Sequence, residues 1–207
     1  MTDPNAPATA EQRAQAIALN EESIVHVEEM FLGFPQLRAA LRERAVVGHD
    51  AIIEVFELVA LWQLETACLQ QQIAQYSGTL RGHVFVRCAL LVLLESLKSL
   101  GNLLGPPFRK QLCEFMRDPT LDSRVRALHS RVCRQYATTA EEFGEARDAL
   151  LAHRDIDAST RRRYVYEAGE QAVTDHIIQG LAIAAELTGI HLAYFEKLIG
   201  SVNRVAT

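Results

Sequence analysis

The sequence lacks the motifs that mark several common classes of enzyme and binding protein. It has no glycine-rich phosphate loop, no G-x-S-x-G nucleophile elbow and no zinc knuckle. These absences argue against a P-loop nucleotidase, an α/β-hydrolase and a small zinc protein. Its four cysteines form no C-x-x-C pair and stand among apolar neighbours, so we expect reduced core thiols in a cytosolic protein.

Lysine is scarce, and the overall charge is negative. Only Lys98, Lys110 and Lys197 accompany the arginines, and the net charge is −5. A non-specific nucleic-acid binder needs many cations set against phosphates, so any nucleic acid must be met by a local basic patch. Arginine suits such a patch, because its planar guanidinium binds phosphate or carboxylate in a bidentate manner.

Long apolar runs are also missing. Arg87 and Glu95 interrupt the longest one, which falls short of the roughly 20 residues that span a bilayer. The N-terminus has neither the basic nor the apolar region of a signal peptide, and we expect residues 1–8 to be a disordered tail. The prediction is a cytoplasmic protein without a membrane segment. In so apolar a helix a charge must find a partner, so Arg87 and Glu95 are expected to take part in structural ion pairs rather than in catalysis.

No stretch shows the period-two alternation of a strand, whereas helical spacing recurs along the chain. The sequence therefore predicts an all-α fold. A first helix is expected over Thr9–Leu32, ending near Gly33 and Pro35, with a shorter one over Gln36–Val47.

The middle of the chain predicts two long partner helices. Asp50 should cap a helix that runs to Gly78. Its apolar residues recur at three-then-four spacing: Ile52, Val55, Val59, Trp62, Thr66, Leu69, Ile73 and Tyr76. The next helix, Leu80–Leu104, is apolar on nearly every side and is expected at the centre of a bundle. Gly105 and the two prolines after it should end that helix.

Four further helices are expected in the last hundred residues: a short one to Arg117, then Leu121–Ala137, a third that begins after Thr139, and a last one from Thr160 to near Val202. Thr139 and Glu142 have the spacing of a capping box, which predicts a new helix start and a helix to about Arg154. Glycines within the last helix weaken it or allow close packing. The predicted architecture is one up-and-down helical bundle over residues 9–207, with added N-terminal and connecting helices.

One segment, EARDALLAHRD at residues 145–155, carries residues suited to chemistry. Arg147 and His153 are six positions apart, so they differ by about 120° in direction and border a common groove. In one interpretation His153 only packs at a helix end and Arg147 and Asp148 are solvated. In the other, the imidazole moves protons on a phosphodiester, Arg147 holds the phosphate and Asp148 orients one of them. Neither a metal nor a cofactor is needed for this.

The same segment resembles the signature of the HEPN superfamily (higher eukaryotes and prokaryotes nucleotide-binding), as found in abortive-infection and toxin-like members. In that signature an arginine, usually followed by a polar residue, precedes a histidine by four to six positions, as Arg147, Asp148 and His153 do here. The resemblance implies a helical bundle and a metal-independent endoribonuclease. It also implies a homodimer whose interface joins an arginine and a histidine from each subunit. Inactive relatives serve as binding modules.

Other polar residues have weaker cases. Arg154, Arg161 and Arg162 could guide RNA towards His153, or could simply be a solvated helix start. Arg87 could brace Asp148. Three side chains lie on one face of the first helix and could bind a metal: Glu22, His26 and Glu29. Because no other helix supplies an E-x-x-H partner, we expect no metal site.

Two functions from different classes remain. The first is an endoribonuclease of a defence or toxin-antitoxin system, with RNA as substrate and an antitoxin or other protein as a possible partner. The second is a non-catalytic helical module that binds a partner protein or a nucleotide.

Overall fold

The computed structural model of the chain describes residues 10–151 and 170–205, and at positions 10–16, 19–20, 145–151, 170 and 202–205 the description is limited to the backbone. Within these residues the chain forms helices and no strand, which confirms the all-α prediction. The helices are α1 (Ala10–Glu43), α2 (Asp50–Gln75), α3 (Leu80–Leu103), α4 (Pro106–Met116), α5 (Thr120–Leu151) and α6 (Glu170–Val205).

Four of these helices, α2, α3, α5 and α6, form an up-and-down bundle. Contacts between α2 and α6 show that they are antiparallel, because His49 meets Tyr194 while Trp62 meets Gly180. Helix α5 is antiparallel to α6 as well. Arg131 pairs with Glu186, whereas Thr139, further along α5, contacts His176, which is earlier in α6. Helix α1 packs on the outside of α2, and the short α4 packs against α5 and α2.

The core consists of the apolar stripes that the sequence predicts for α2 and α3. In α2 the stripe is buried from Ile52 to Thr66, and Leu69 and Ile73 are partly buried against the core. Helix α3 contributes four buried leucines at the bundle centre: Leu90, Leu93, Leu94 and Leu97. Burial of each side chain of this kind contributes roughly 1.5–3 kcal/mol to the free energy of unfolding. The packing of α2 against α3 is therefore a main source of stability.

The predicted break near Gly33 and Pro35 is wrong, because α1 is one helix that passes through both residues. Proline removes one backbone hydrogen bond and disfavours a helix interior. Here Pro35 is exposed, while Phe34 beside it and Leu41 two turns later are buried in the core. Because apolar side chains before and after the proline are buried in the core, the helix continues through Pro35.

Two predicted helix starts also differ from the structure. His49, in a helical conformation, precedes α2 without a side-chain cap, and Asp50 is the first helical residue. Thr139 and Glu142 lie inside α5, which runs without interruption from Thr120 to Leu151. A capping box is a local pattern, and tertiary contacts of the same side chains override it. The expected start of the last helix, with its cap at Asp157 or Ser159, lies outside the described residues.

The cysteines do not form the core that their neighbours suggested. Cys68 and Cys133 are exposed, Cys88 and Cys113 are partly buried, and all four are free thiols. Successive residues of a helix point about 100° apart, so apolar neighbours in the sequence do not bury the residue between them. The predicted burial is therefore wrong for Cys68 and Cys133, although all four cysteines are free thiols, as expected.

Helix α6 is apolar on more than its core side. Three large apolar residues on its outer face are more than half exposed: Ile178, Leu192 and Ile199. Among the described residues, the stretch Gln171–Ser201 is the one long and apolar enough to cross a membrane by length and composition, and 44 % of its most apolar window is buried in the bundle. A helix packed in a bundle passes the same test, so the absence of a membrane segment stays a prediction.

A buried histidine lies in the aromatic part of the core. His191 is 4 % exposed, stacks on Phe56 with ring centroids 4.3 Å apart, and faces Phe34 at 5.6 Å. Burial lowers its pKa from the ordinary value of 6.5 to about 4, because the charged ring would lose its hydration. The imidazole is therefore neutral at physiological pH.

We expect the free energy of unfolding to fall as the pH is lowered from 6.5 towards 4. The unfolded chain takes up a proton at His191 in this window and the folded protein does not, so folding becomes less favourable, by about 3 kcal/mol at the acid end. Urea unfolding at several pH values measures this slope. His191→Leu carries no titratable group and should flatten it. An unchanged slope in that variant would assign the pH dependence to other groups.

Helix α6 approaches α2 and α3 closely at Gly180. A Cβ built there would lie 2.7 Å from Cδ1 of Leu93 and 2.9 Å from Cζ2 of Trp62, whereas one built on Gly189 would meet nothing within 4 Å. Gly180 therefore allows the close packing expected for one of the glycines of this helix.

Gly180→Ala should lower the free energy of unfolding by about 1–3 kcal/mol, because the added methyl group forces Trp62 and Leu93 apart. Gly189→Ala, in the same helix and in open space, is the matched control and should stabilise by about 0.5–1 kcal/mol through helix propensity alone. Denaturant melts of both variants test this. Equal effects at the two positions would contradict the packing.

Candidate functional site

The predicted catalytic residues belong to the end of α5 and the segment after it. The backbone of α5 includes Arg147 and Asp148, whose side chains lie outside the description. Four more predicted site residues lie outside the described residues: His153, Arg154, Arg161 and Arg162. The structure therefore gives the position of α5, which carries Arg147 and Asp148, and the contacts of the described residues near its end.

One end of the bundle carries the motif. It is formed by the last turns of α5, the first turns of α6 and the turn between α2 and α3, and we call it the motif end. His176 in α6 contacts Thr139 and Glu142 of α5, which places the start of one helix beside the end of the other. Tyr76 and Phe85 stack with ring centroids 5.9 Å apart where α2 turns into α3.

The helical register separates positions 147 and 148. Position 147 follows Ala140 and Cys133 at intervals of seven, and Cys133 lies on the side of α5 that packs on α3: its Sγ is 3.7 Å from a Cβ built on Gly101. Position 148 follows Glu141, which is exposed. The backbone thus places position 147 on the face towards α3 and position 148 on the face towards solvent.

Arg87 and Glu95 do not form the expected structural ion pairs among the described residues, with each other or with another side chain. Glu95 is exposed, and eight residues separate the two by about 80° around α3 and two turns along it. The Nε of Arg87 is buried and has no hydrogen-bond partner among the described residues. Desolvation lowers the pKa of this guanidinium. Arg87 is thus a partly buried charge for which the described chain supplies no counterion.

A buried polar cluster joins α5 to α6. The Nε2 of His176 lies 2.8 Å from Oε2 of Glu142, and its Nδ1 lies 2.8 Å from the hydroxyl of Thr139. Gln135 donates from Nε2 to the backbone carbonyl of His176 at 2.7 Å, and Phe143 packs edge-on against the imidazole. In the tautomer that donates to Glu142, Nδ1 accepts the proton of the Thr139 hydroxyl.

This cluster has the hydroxyl, imidazole and carboxylate order of a nucleophilic triad, but it cannot act as one. The side chain of Thr139 is fully buried, at 0 % exposure, so its hydroxyl cannot reach a substrate. The cluster instead ties α5 to α6 beside the motif end. Sequence reasoning missed His176 because Thr139 and Glu142 also fit a capping box; a polar residue in so apolar a helix was the available signal.

A shallow groove of about 300 Å³ lies between α5 and α6 on the other side of this cluster. Arg131, Arg134 and Thr138 line it from α5, and Gln179 lines it from α6. The guanidinium of Arg131 is already paired with Glu186 at 2.6 Å. The groove can therefore offer one uncommitted guanidinium, Arg134, to an anion at the surface.

The face of α1 considered for a metal is open to solvent. Glu22, His26 and Glu29 are all exposed, and no cluster of three or more histidine, cysteine or acidic side chains gathers anywhere in residues 10–151 and 170–205.

Comparison of the chain with family models, with curated proteins and with solved structures finds no match in any of the three.

Thr139→Val should lower the free energy of unfolding by about 1–3 kcal/mol, since it keeps the volume but leaves Nδ1 of the buried His176 without its partner. Thr138→Val is the control, because Thr138 directly precedes Thr139 in the same helix and is exposed. Thermal or urea unfolding compares the two. A small effect at position 139, similar to that at 138, would show that the hydrogen bond does not stabilise the fold.

Proposed function

We propose that the protein is a metal-independent endoribonuclease that acts as a homodimer in a defence or toxin-antitoxin system. The observation that carries the proposal is the spacing of Arg147 and His153 in the sequence, with Arg147 in a helix of an all-α bundle. The confirmed helical architecture agrees with the fold that the HEPN resemblance implies. Arg147 also stands on a packed helix, where the backbone of a site is held rigidly.

The chemistry needs no external reactant. The RNA 2′-hydroxyl attacks the adjacent phosphorus, the bond to the 5′-oxygen breaks, and a 2′,3′-cyclic phosphate and a free 5′-hydroxyl result. One imidazole, His153, takes the proton of the 2′-hydroxyl, and that of the second subunit gives a proton to the leaving oxygen. Arg147 stabilises the charge on the phosphate, and Asp148 orients one of the two side chains. Arg154, Arg161 and Arg162 guide the RNA backbone towards the site.

A dimer is part of the proposal because one copy of the motif does not stack its two groups on one face. Support for self-association comes from the outer face of α6, where Ile178, Leu192 and Ile199 are exposed. These residues share one face of the helix, where a second protein could cover them.

The same exposed residues favour the second candidate function, a non-catalytic interaction module. Val25 and Leu32, seven residues apart, are likewise more than half exposed on α1. In this alternative the apolar faces bind a partner protein, and His153 only packs at the end of its helix.

Purified protein should cleave RNA in the presence of EDTA, and Arg147→Ala and His153→Ala should each lower the rate by roughly a hundredfold or more. Denaturing gels of the RNA measure cleavage, and the mass of the 5′ fragment, which keeps the phosphate, reports the cyclic end. Arg124→Ala is the control, since Arg124 is exposed near the other end of α5. Wild type and His153→Ala that are equally inert, both dimeric and equally stable, would favour the interaction module.

A further inference from the structure

A further groove lies between α2 and α3, and two carboxylates line it. Its volume is about 320 Å³, and we call it the acidic groove. Glu65 lines it from α2, and Glu95 and Ser96 line it from α3. Apolar side chains, among them Leu58 and Val92, form much of the rest of its surface. The acidic groove thus combines two negative charges and a hydroxyl with an apolar lining.

The two carboxylates have no counterion in the described part of the chain. Neither Glu65 nor Glu95 forms an ion pair or a hydrogen bond with another described side chain. Lys98, one turn after Glu95, is exposed and does not pair with it. Neighbouring groups remove part of the hydration of Glu65, which raises the pKa of its carboxyl. Because like charges on one groove repel, a cation between them would stabilise this arrangement.

A buried hydroxyl in the acidic groove also lacks a partner. Ser96 is 6 % exposed, and its hydroxyl makes no hydrogen bond with the residues that the structure describes. A serine inside a helix can bond to the carbonyl one turn earlier, as Ser130 does to Arg126. Buried polar side chains nearly always have a partner. Because Ser96 lines the groove, a donor on a bound ligand can supply the missing hydrogen bond.

These groups fit an organic cation better than a metal ion. Calcium takes six to eight oxygen ligands and magnesium about six, whereas no cluster of three or more histidine, cysteine or acidic side chains occurs among the described residues. Leu58 and Val92 pack against the core and offer apolar surface, which favours methylene groups over a hydrated ion. An ammonium group has three donors and no acceptor, so carboxylates and a hydroxyl complement it.

We propose that the acidic groove binds ammonium groups carried on an alkyl chain, as in an aliphatic polyamine or a lysine side chain of another protein. Glu65 and Glu95 accept hydrogen bonds from the ammonium groups, and the Ser96 hydroxyl accepts one more. The methylene groups lie against Leu58 and Val92. The site includes no residue of the proposed ribonuclease centre, so it stands or falls independently of that function.

The first test uses spermidine and putrescine. A ligand that binds the folded state raises the melting temperature, so both amines should raise that of the wild type. The double variant Glu65→Gln/Glu95→Gln should raise the Kd for spermidine, measured by calorimetry, about fivefold or more, because it removes both ion pairs. Without ligand its melting temperature should stay the same or rise, since the two carboxylates repel each other.

A charge-matched control separates this site from general attraction to an acidic protein. The double variant Glu54→Gln/Glu141→Gln removes two exposed carboxylates outside the acidic groove. It lowers the net negative charge equally and should change the Kd for spermidine less than about twofold. Magnesium chloride at matched ionic strength carries no alkyl chain, and its effect on the melting temperature should not depend on Glu65 and Glu95.

Ser96→Ala tests the hydroxyl. It should raise the Kd for spermidine roughly threefold, because one hydrogen bond to the ligand is lost. The melting temperature without ligand should stay the same or rise, since alanine leaves no unpaired polar group and favours the helix. A clear fall in the melting temperature with an unchanged Kd would show that the hydroxyl is bonded within the fold, and would exclude it from the site.

A peptide separates the two sources of the ammonium group. The probe is an acetylated alanine-based peptide with two lysines, compared with the same peptide carrying glutamines. Tighter binding of the lysine peptide than of spermidine, lost in Glu65→Gln/Glu95→Gln, would assign the groove to a partner protein. Binding of spermidine alone, with the same dependence, would assign it to a free polyamine. If both probes bind Glu65→Gln/Glu95→Gln and Glu54→Gln/Glu141→Gln equally, or bind no form of the protein, the proposed site is overturned.

Discussion

The close approach of α6 to α2 and α3 at Gly180 is the contact on which the rest of the bundle depends. The absence of a side chain there lets the ring of Trp62 and the methyl groups of Leu93 pack directly against the backbone of α6. Packed interiors tolerate little change in volume, so this contact sets both the spacing and the register of α6. The register in turn brings His176 level with Thr139 and Glu142 and so positions the end of α5.

Helix α5 is held differently on its two sides. Towards α6 its polar side chains are satisfied by the buried cluster around His176, which specifies one register because a shift would leave several hydrogen-bonding groups unpaired. Towards α3, Gly101 approaches Cys133, and the carbonyl of Gly101 lies 2.9 Å from Nε2 of His129. Helix α5 is therefore held by contacts on both sides.

Sequence patterns predicted this protein well where a signal repeats and poorly where it is single. The apolar stripe from Ile52 to Thr66 repeats over several turns, and the helix and its partner are confirmed. Single signals failed: Pro35 does not end α1, and the capping-box pattern at Thr139 does not start a helix. A repeated pattern sums many burial energies, whereas one proline or one cap contributes a few kcal/mol that packing can offset. The candidate motif of Arg147 and His153 is likewise a short pattern, and its histidine lies outside the described residues.

By itself the sequence determined the fold class, the main helices and the apolar faces, because helical periodicity and hydrophobic burial act between residues near one another in the chain. It also singled out Arg147 and His153 as candidates. Only the tertiary structure decided that Thr139 and Glu142 bind His176 and that Arg87 has no carboxylate partner among the described residues. These facts depend on the register between helices distant in the chain. That register is set by the fit of side chains such as Trp62 and Leu93 against Gly180, which no periodicity within one helix encodes.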